Sequence, residues 1–254
     1  MVRKLVYVDI GTHKGQEYKA LFCYSVWEFL YRFIKLFVAS FILRKNKINT
    51  IGPREAFNII NSVKLIRRQK GNITTVLVEP NIRLYRDEVY RSADKVFCIA
   101  LGDMDDGMHF SNLFFPNSDK ISQGASIFST KENIDFEQTD NVIVCGCVPF
   151  AKMLKESLDG ALGKNSYEVV IRINCEGSED TGIYAFHKVF KNQFNVIFGS
   201  LKDVGELKGS SEMQALWTYI NRNDLKFVPF TPLYTTWKDA TREMLDILEL
   251  SDKL

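Results

Sequence analysis

Apolar residues along this chain fall into short unbroken runs, separated by longer stretches in which they recur every three to four positions. KLVYVD (4–9), TTVLVE (74–79), KVFCIA (95–100), NVIVCGCV (141–148), YEVVIRIN (167–174), FNVIFG (194–199) and LKFVPF (225–230) read as strands. Continuous rather than alternating runs are expected of strands covered on both faces. Helical patterns fill the intervals at 16–43, 53–70, 82–92, 149–158, 178–191, 211–223 and 237–250. This alternation predicts an α/β fold, an open and mostly parallel seven-stranded sheet with helices on both faces. No repeat and no Gly/Ser-rich linker divides the chain, so residues 1–254 read as a single domain with one insertion at 22–70, after the first strand.

That insertion departs most from the pattern. FCYSVWEFLYRFIKLFVASFIL (22–43) carries only Glu28, Arg32 and Lys35 as charges. Their spacing places them in one narrow polar stripe on an otherwise apolar helix. Glu28 and Arg32 also stand in the favourable i,i+4 order. The length would span a bilayer, but three charges within the segment argue against a transmembrane helix. Pro53 suits the first turn of a second helix and Gly71 its end. Three readings of 22–70 follow: a buried or dimer-forming helical hairpin, a peripheral membrane contact, or a surface for an anionic polymer.

Charge sharpens this picture. The net charge of +2 hides ten Lys/Arg against two acids within 22–70, a local +8, while the remainder holds 23 basic and 29 acidic residues. Such a split marks a docking surface for an anionic partner. A hydrophobic content of 46% with 25% charged residues is that of a folded protein. Five Cys form no C-x-x-C pair and only three His are present, which disfavours zinc ribbons, redox pairs and a His-rich metal cage. No metal is expected, and the unpaired thiols suit a cytoplasmic compartment, including the inner face of a membrane. The first residues run directly into a core strand, so no cleavable signal peptide is expected.

Candidate chemistry gathers at strand ends. VDIGTHKG (8–15) passes from strand to helix through Asp9, Gly11 and Gly15. Glycine there lets the backbone turn sharply and approach a ligand closely. The loop lacks the third glycine of the dinucleotide fingerprint and the Gly-Lys-Ser/Thr ending of a P-loop. Alone it also fits a buried strand followed by an ordinary turn. VLVEPN (76–81) ends in Glu79, at the strand tip where a ribose diol is hydrogen-bonded in nucleotide-binding folds.

Taken in order, VDIGTHKGQ, VEPN, CIALGD (98–103) and VIRINCEGSE (170–179) resemble the FkbM-type S-adenosylmethionine-dependent methyltransferases. That family typically shows V-D-x-G-A-x-x-G, F-E-P-N and K-x-D-x-E-G-x-E in this order. The resemblance covers residues 4–200, interrupted by 22–70, and implies a Rossmann-like class I methyltransferase fold with S-adenosylmethionine as cofactor. It further implies a cofactor loop of Asp9, Gly11, Thr12, His13 and Gly15, with Glu79 on the ribose and Asn81 beside it. Ala100, Leu101 and Asp103 would flank the adenine. Arg172, Asn174, Glu176 and Gly177 take the K-x-D-x-E-G slots, and Glu179 the last acidic position. Arg172 replaces a lysine, keeping charge but changing donor geometry. Asn174 replaces an aspartate and cannot act as a base, which leaves Glu176 as the better acid.

Methyl transfer needs alignment of a nucleophile and exclusion of water, and a hydroxyl acceptor also needs a base. The candidates are Glu176, His13 and His109, while His187 reads as structural. The segment SDKISQGASIF (118–128), with Gly124 and Ser126, is a candidate lid or acceptor contact against an ordinary surface loop. NCEG (174–177) is neither the Asn/Asp-Pro-Pro-aromatic loop of amino methylation nor the Pro-Cys of cytosine methylation, so no nucleic-acid partner is expected. The resemblance favours O-methylation of a sugar, glycan or related small molecule. Two alternatives stay open: a catalytically inactive Rossmann-like scaffold, and another nucleotide-dependent enzyme of glycan biosynthesis.

Overall fold

The computed structural model describes residues 4–250 apart from 26, 29, 32, 33, 35–52, 104, 106, 117–120, 122, 123, 132, 133 and 231–234. Six strands form one sheet: β1 (Lys4–Ile10), β2 (Ile73–Val78), β3 (Lys95–Phe97), β7 (Tyr167–Ile173), β8 (Phe194–Gly199) and β9 (Lys226–Pro229). Their order is β3-β2-β1-β7-β8-β9, and every neighbouring pair runs parallel.

Alternation of side chains explains the unbroken apolar runs. Val6, Val8 and Ile10 of β1 face one core with Phe150, Leu154, Phe186 and Phe190, supplied by helices Cys147–Leu162 and Glu179–Phe190. Leu5 and Tyr7 face a second core with Ile66, Met244 and Leu245, from helices Pro53–Arg68 and Thr235–Ile247. Both faces of the sheet are thus dry, and each fully buried Leu, Ile or Phe contributes about 1.5–3 kcal/mol of transfer free energy.

The α/β class and the parallel sheet agree with the sequence, whereas the seventh strand does not join them. NVIVCGCV belongs to a longer strand, β6 (Ile134–Gly146), that lies in a separate three-stranded sheet of order β4-β6-β5. Its neighbours are β4 (Ala100–Gly102), which is parallel to it, and β5 (His109–Pro116), which is antiparallel. The run KVFCIA is therefore split. Lys95–Phe97 pairs with β2, and from Ala100 the chain pairs with the other sheet.

Helix 82–92 is a 3-10 turn (Ile82–Arg86) followed by Glu88–Ser92, and a further helix, Lys202–Lys208, has no counterpart in the sequence reading. The helix expected over 16–43 is broken. Gln16–Tyr18 runs into a π-helical turn at Lys19–Cys23, and Tyr24 is extended at φ −61°, ψ 135°. Ser25 then starts anew: its hydroxyl accepts from Glu28 N–H at 3.2 Å while the Glu28 carboxylate accepts from Ser25 N–H at 2.6 Å. This is a reciprocal capping box, S-x-x-E. Glu28 is therefore a cap; Trp27, Leu30, Tyr31 and Ile34 continue as helix, while Arg32, Lys35 and the other residues of the expected helix lie outside the described residues.

Candidate functional site

At β1 the connection of order reverses: β2 and β3 lie to one side of it, β7, β8 and β9 to the other. Loops at the carboxyl ends of parallel strands diverge at such a point and leave a crevice. A cavity of about 270 Å³ lies there, bounded by the loops after β1, β2 and β7 and roofed by residues 124–127.

The first loop is set by backbone geometry. Asn174 N–H donates to Ile10 O at 3.0 Å, and Gly11 N–H and Thr12 N–H both donate to Val78 O. Three strand ends are thereby laced together. Gly11 has φ +72°, and a Cβ there would stand 2.0 Å from the carbonyl oxygen of Asn174, so only glycine fits. Thr12 Oγ1 donates to Asp9 O at 2.9 Å, closing the turn. Gly15, at φ +58°, starts the helix, and a Cβ on it would meet Val89 Cγ1 at 2.5 Å.

Glu79 clips the first two loops together. One carboxylate oxygen accepts from His13 N–H at 2.8 Å and the other from Asn81 N–H at 2.9 Å. Burial pushes its pKa up, against those two hydrogen bonds. Each oxygen keeps a lone-pair direction in a carboxylate that lines the cavity. Asn81 caps the following turn by accepting from Arg83 N–H at 3.1 Å.

Under the floor, register makes a buried ion pair. Asp9 and Arg172 are direct cross-strand neighbours on β1 and β7. Arg172 Nη1 stands 3.3 Å from Asp9 Oδ1 and donates to Gly11 O at 2.6 Å, while Nη2 reaches Glu17 Oε2 at 3.2 Å. Burial raises the Asp9 carboxyl to about 7, with Arg172 opposing. Burial alone would lower the Arg172 pKa, but Glu17 and Asp9 outweigh it and the pKa is raised.

Past β7, the turn Asn174–Gly177 is organised by Glu179. Its carboxylate accepts from Cys175 N–H and Glu176 N–H at 2.8 Å and from Gly177 N–H at 2.9 Å. This holds Glu176 in the left-handed region at φ +60°. Burial raises Glu179 to about 7 despite these bonds. The Glu176 side chain lines the cavity and is paired with Lys131, whose ammonium also lies 3.2 Å from Asp203 Oδ1. Asn174 Nδ2 donates to Glu176 Oε1 at 3.4 Å. Ser126 Oγ donates to Glu176 O at 2.8 Å, and the Ser126 backbone bridges to Phe114 of β5, which seats the roof on the turn.

Gly11, Thr12, His13, Glu79, Asn81, Ala100, Leu101, Arg172, Asn174 and Glu176 all line this cavity. Four other expected residues do not. Asp9 lies beneath the floor, Gly15 shapes the turn, and Asp103 is exposed and supplies only its carbonyl, to Cys147 N–H at 3.2 Å. The fourth, His109, sits exposed on β5 opposite Val144 and is not among the residues that line the cavity. His13 Nε2 lies 2.9 Å from Ile121 O, and Tyr90 OH donates to His13 O, so this histidine ties the loop. Residues 118–120, 122 and 123 of the expected lid lie outside the described residues. Glu17 and Lys131 escaped the sequence reading. Glu17, two residues after Gly15, carried the weak signal of an acid opening a helix, whereas Lys131 becomes a site residue only through a contact 45 positions away. Among the described residues no three His, Cys, Asp or Glu side chains converge to hold a metal ion.

Asp9 and Glu179 make stability depend on pH. Both are protonated in the folded chain at pH values where the unfolded chain, at 3.8 and 4.5, has already lost its protons. The folded state therefore binds more protons from about pH 4 to about pH 7, and stability falls as pH rises through that window. The melting temperature is expected to decline from pH 5 to pH 8, and Glu179→Gln to flatten the decline. A rise of Tm over that interval would contradict these assignments.

Comparison with family models, with curated proteins and with solved structures finds no match to this chain.

Proposed function

We propose that the chain is an S-adenosylmethionine-dependent methyltransferase of Rossmann-like class I fold, acting on a hydroxyl of a sugar, glycan or related small molecule. The observation that carries this reading is Glu79: a buried carboxylate at the tip of β2, lining a cavity beside a glycine loop that admits no Cβ. The residues present fit the cofactor. Glu79 offers acceptors for a ribose diol, Gly11 allows close backbone approach, and Ile99, Leu101 and Leu113 give an apolar wall for a purine. When bound, S-adenosylmethionine supplies an electrophilic methyl group on a sulfonium.

Glu79, Asn81 and the 11–13 loop would hold the cofactor, and Ala100 and Leu101 its base. Of the three candidate bases, Glu176 is best placed to accept a hydroxyl proton. His109 lies outside the cavity, and the His13 ring is engaged with Ile121. Lys131 positions the Glu176 carboxylate, and residues 124–127 exclude water above it.

Glu79→Gln is expected to weaken S-adenosylhomocysteine binding about 10–100-fold, since hydrogen bonds to a charged acceptor are worth about 1.5–3 kcal/mol. Titration calorimetry checks this. Glu176→Gln should reduce methyl transfer about 100-fold or more while leaving that affinity within about twofold; equal losses in both would remove Glu176 from the base role. The proposal as a whole is tested by native mass spectrometry of the purified chain titrated with S-adenosylhomocysteine, where a one-to-one adduct is expected and none would defeat it.

A second reading has one observation in its favour. Asn174 is no base, and Glu176 is already paired with Lys131, which suits a module that binds a nucleoside without transferring a methyl group. Tight binding of S-adenosylhomocysteine without turnover on any hydroxyl acceptor would favour it.

A further inference from the structure

Beyond the cavity, described residues on two helical segments, one around 27–34 and the other Pro53–Arg68, carry a second set of exposed side chains. Trp27, Leu30, Tyr31 and Ile34 recur at i, i+3, i+4 and i+7 on one helical face, the spacing of residues that ordinarily turn inward. Here they turn outward: Trp27 is 79% exposed, Tyr31 66% and Ile34 61%. The base of this helix is fixed. Arg67, on helix Pro53–Arg68, donates to the carbonyls of Ala20 and Leu21 at 2.9 Å and to that of Tyr24, and the Ser25–Glu28 box caps the start. The stripe is thus held out on an anchored element. The exposed face of helix Pro53–Arg68 carries Arg54, Phe57, Lys64 and Arg68.

We infer that this surface docks on an anionic lipid bilayer, with the Trp27–Ile34 stripe seated at the headgroup boundary and the basic residues against lipid phosphates and carboxylates. This does not rest on the methyltransferase reading. Three arguments choose the occupant. Trp and Tyr with Leu and Ile are the side chains that partition to the bilayer interface. The exposed cations Arg54, Lys64, Arg68 and Lys70 complement an anionic leaflet. A second copy of the chain is disfavoured, since a symmetric contact sets the exposed Arg54, Lys64, Arg68 and Lys70 against the same cations of the other copy. A nucleic acid would satisfy the charges but leave Leu30 and Ile34 uncovered. Among the described residues no helix is long and apolar enough to cross a membrane.

Flotation with phosphatidylcholine vesicles, with and without phosphatidylserine, tests the proposal at low and high salt. The full chain is expected to float only with the phosphatidylserine vesicles, and to release as salt rises. Lys64→Glu with Arg68→Glu should weaken this binding at least about tenfold, each surface cation contributing roughly 1 kcal/mol. Trp27→Ser with Ile34→Ser should weaken it by a similar factor at unchanged net charge. All four positions are exposed, so melting temperatures near that of the parent chain would show that the variants fold. The proposal is overturned by absence of flotation with either vesicle. It is equally overturned by a dimer that the Trp27/Ile34 pair dissociates, or by oligonucleotide binding that needs Lys64 and Arg68 but not Trp27 and Ile34.

Discussion

Gly11→Ala is expected to lower the melting temperature by about 10 °C and to abolish S-adenosylhomocysteine binding. Two costs combine. At φ +72° an alanine pays about 1–2 kcal/mol for a left-handed backbone. Its Cβ, 2.0 Å from the Asn174 carbonyl oxygen, must also push β7's end away from β1, and overpacking of that kind costs about 1–3 kcal/mol. A total of about 2–5 kcal/mol in a chain of this size corresponds to a fall of roughly 10 °C. The displaced group is the backbone of the turn that carries Glu176, so binding and stability fail together. Thermal denaturation paired with calorimetry checks this. A folded variant with unaltered affinity would mean that the loop does not approach the ligand.

Arg172→Met is expected to cost about 3–5 kcal/mol at alkaline pH, where it strands the buried Asp9 carboxylate without its counter-charge. Glu17 is the lesser loss, since its side chain remains partly exposed to water. Removing Arg172 takes away the influence that opposes protonation of Asp9, whose pKa is already raised to about 7 by burial. The variant's deficit should therefore shrink as pH is lowered toward 5, where the carboxyl is neutral. Asp9→Asn with Arg172→Met should recover much of the loss, with a coupling energy above about 1 kcal/mol in a double-mutant cycle. Arg172→Lys keeps the charge but cannot span Gly11 O, Asp9 and Glu17 at once, so it should fall between. Additive single losses that do not vary with pH would show that the pair is not coupled.

Much of this arrangement is legible in the chain because it follows from local rules. Unbroken apolar runs marked β1, β2, β7 and β8, and the acid ending VLVE stands at a strand tip lining the cavity. Asn174 and Glu176 follow β7 as expected. What escaped depends on pairing partners, which no single segment encodes. KVFCIA is one apolar run, yet its halves join different sheets; β5, with its exposed His109 and Phe110, has the burial pattern of a strand covered on one face only at its far end. The capping box at Ser25 and Glu28 was present in the letters, but the aromatic run around it read as one helix. Lys131 could not be foreseen, since the carboxylates it serves, Glu176 and Asp203, lie far along the chain.

The central claim is that Glu79 and the Gly11 loop form a nucleoside site for S-adenosylmethionine. Titration calorimetry with S-adenosylhomocysteine, NAD and a nucleotide sugar, on the unmodified chain and on Glu79→Gln, tests it most directly. Single-site binding of S-adenosylhomocysteine alone is expected, weakened about 10–100-fold by the substitution. No heat with S-adenosylhomocysteine, alongside saturable binding of NAD or the nucleotide sugar, would contradict it.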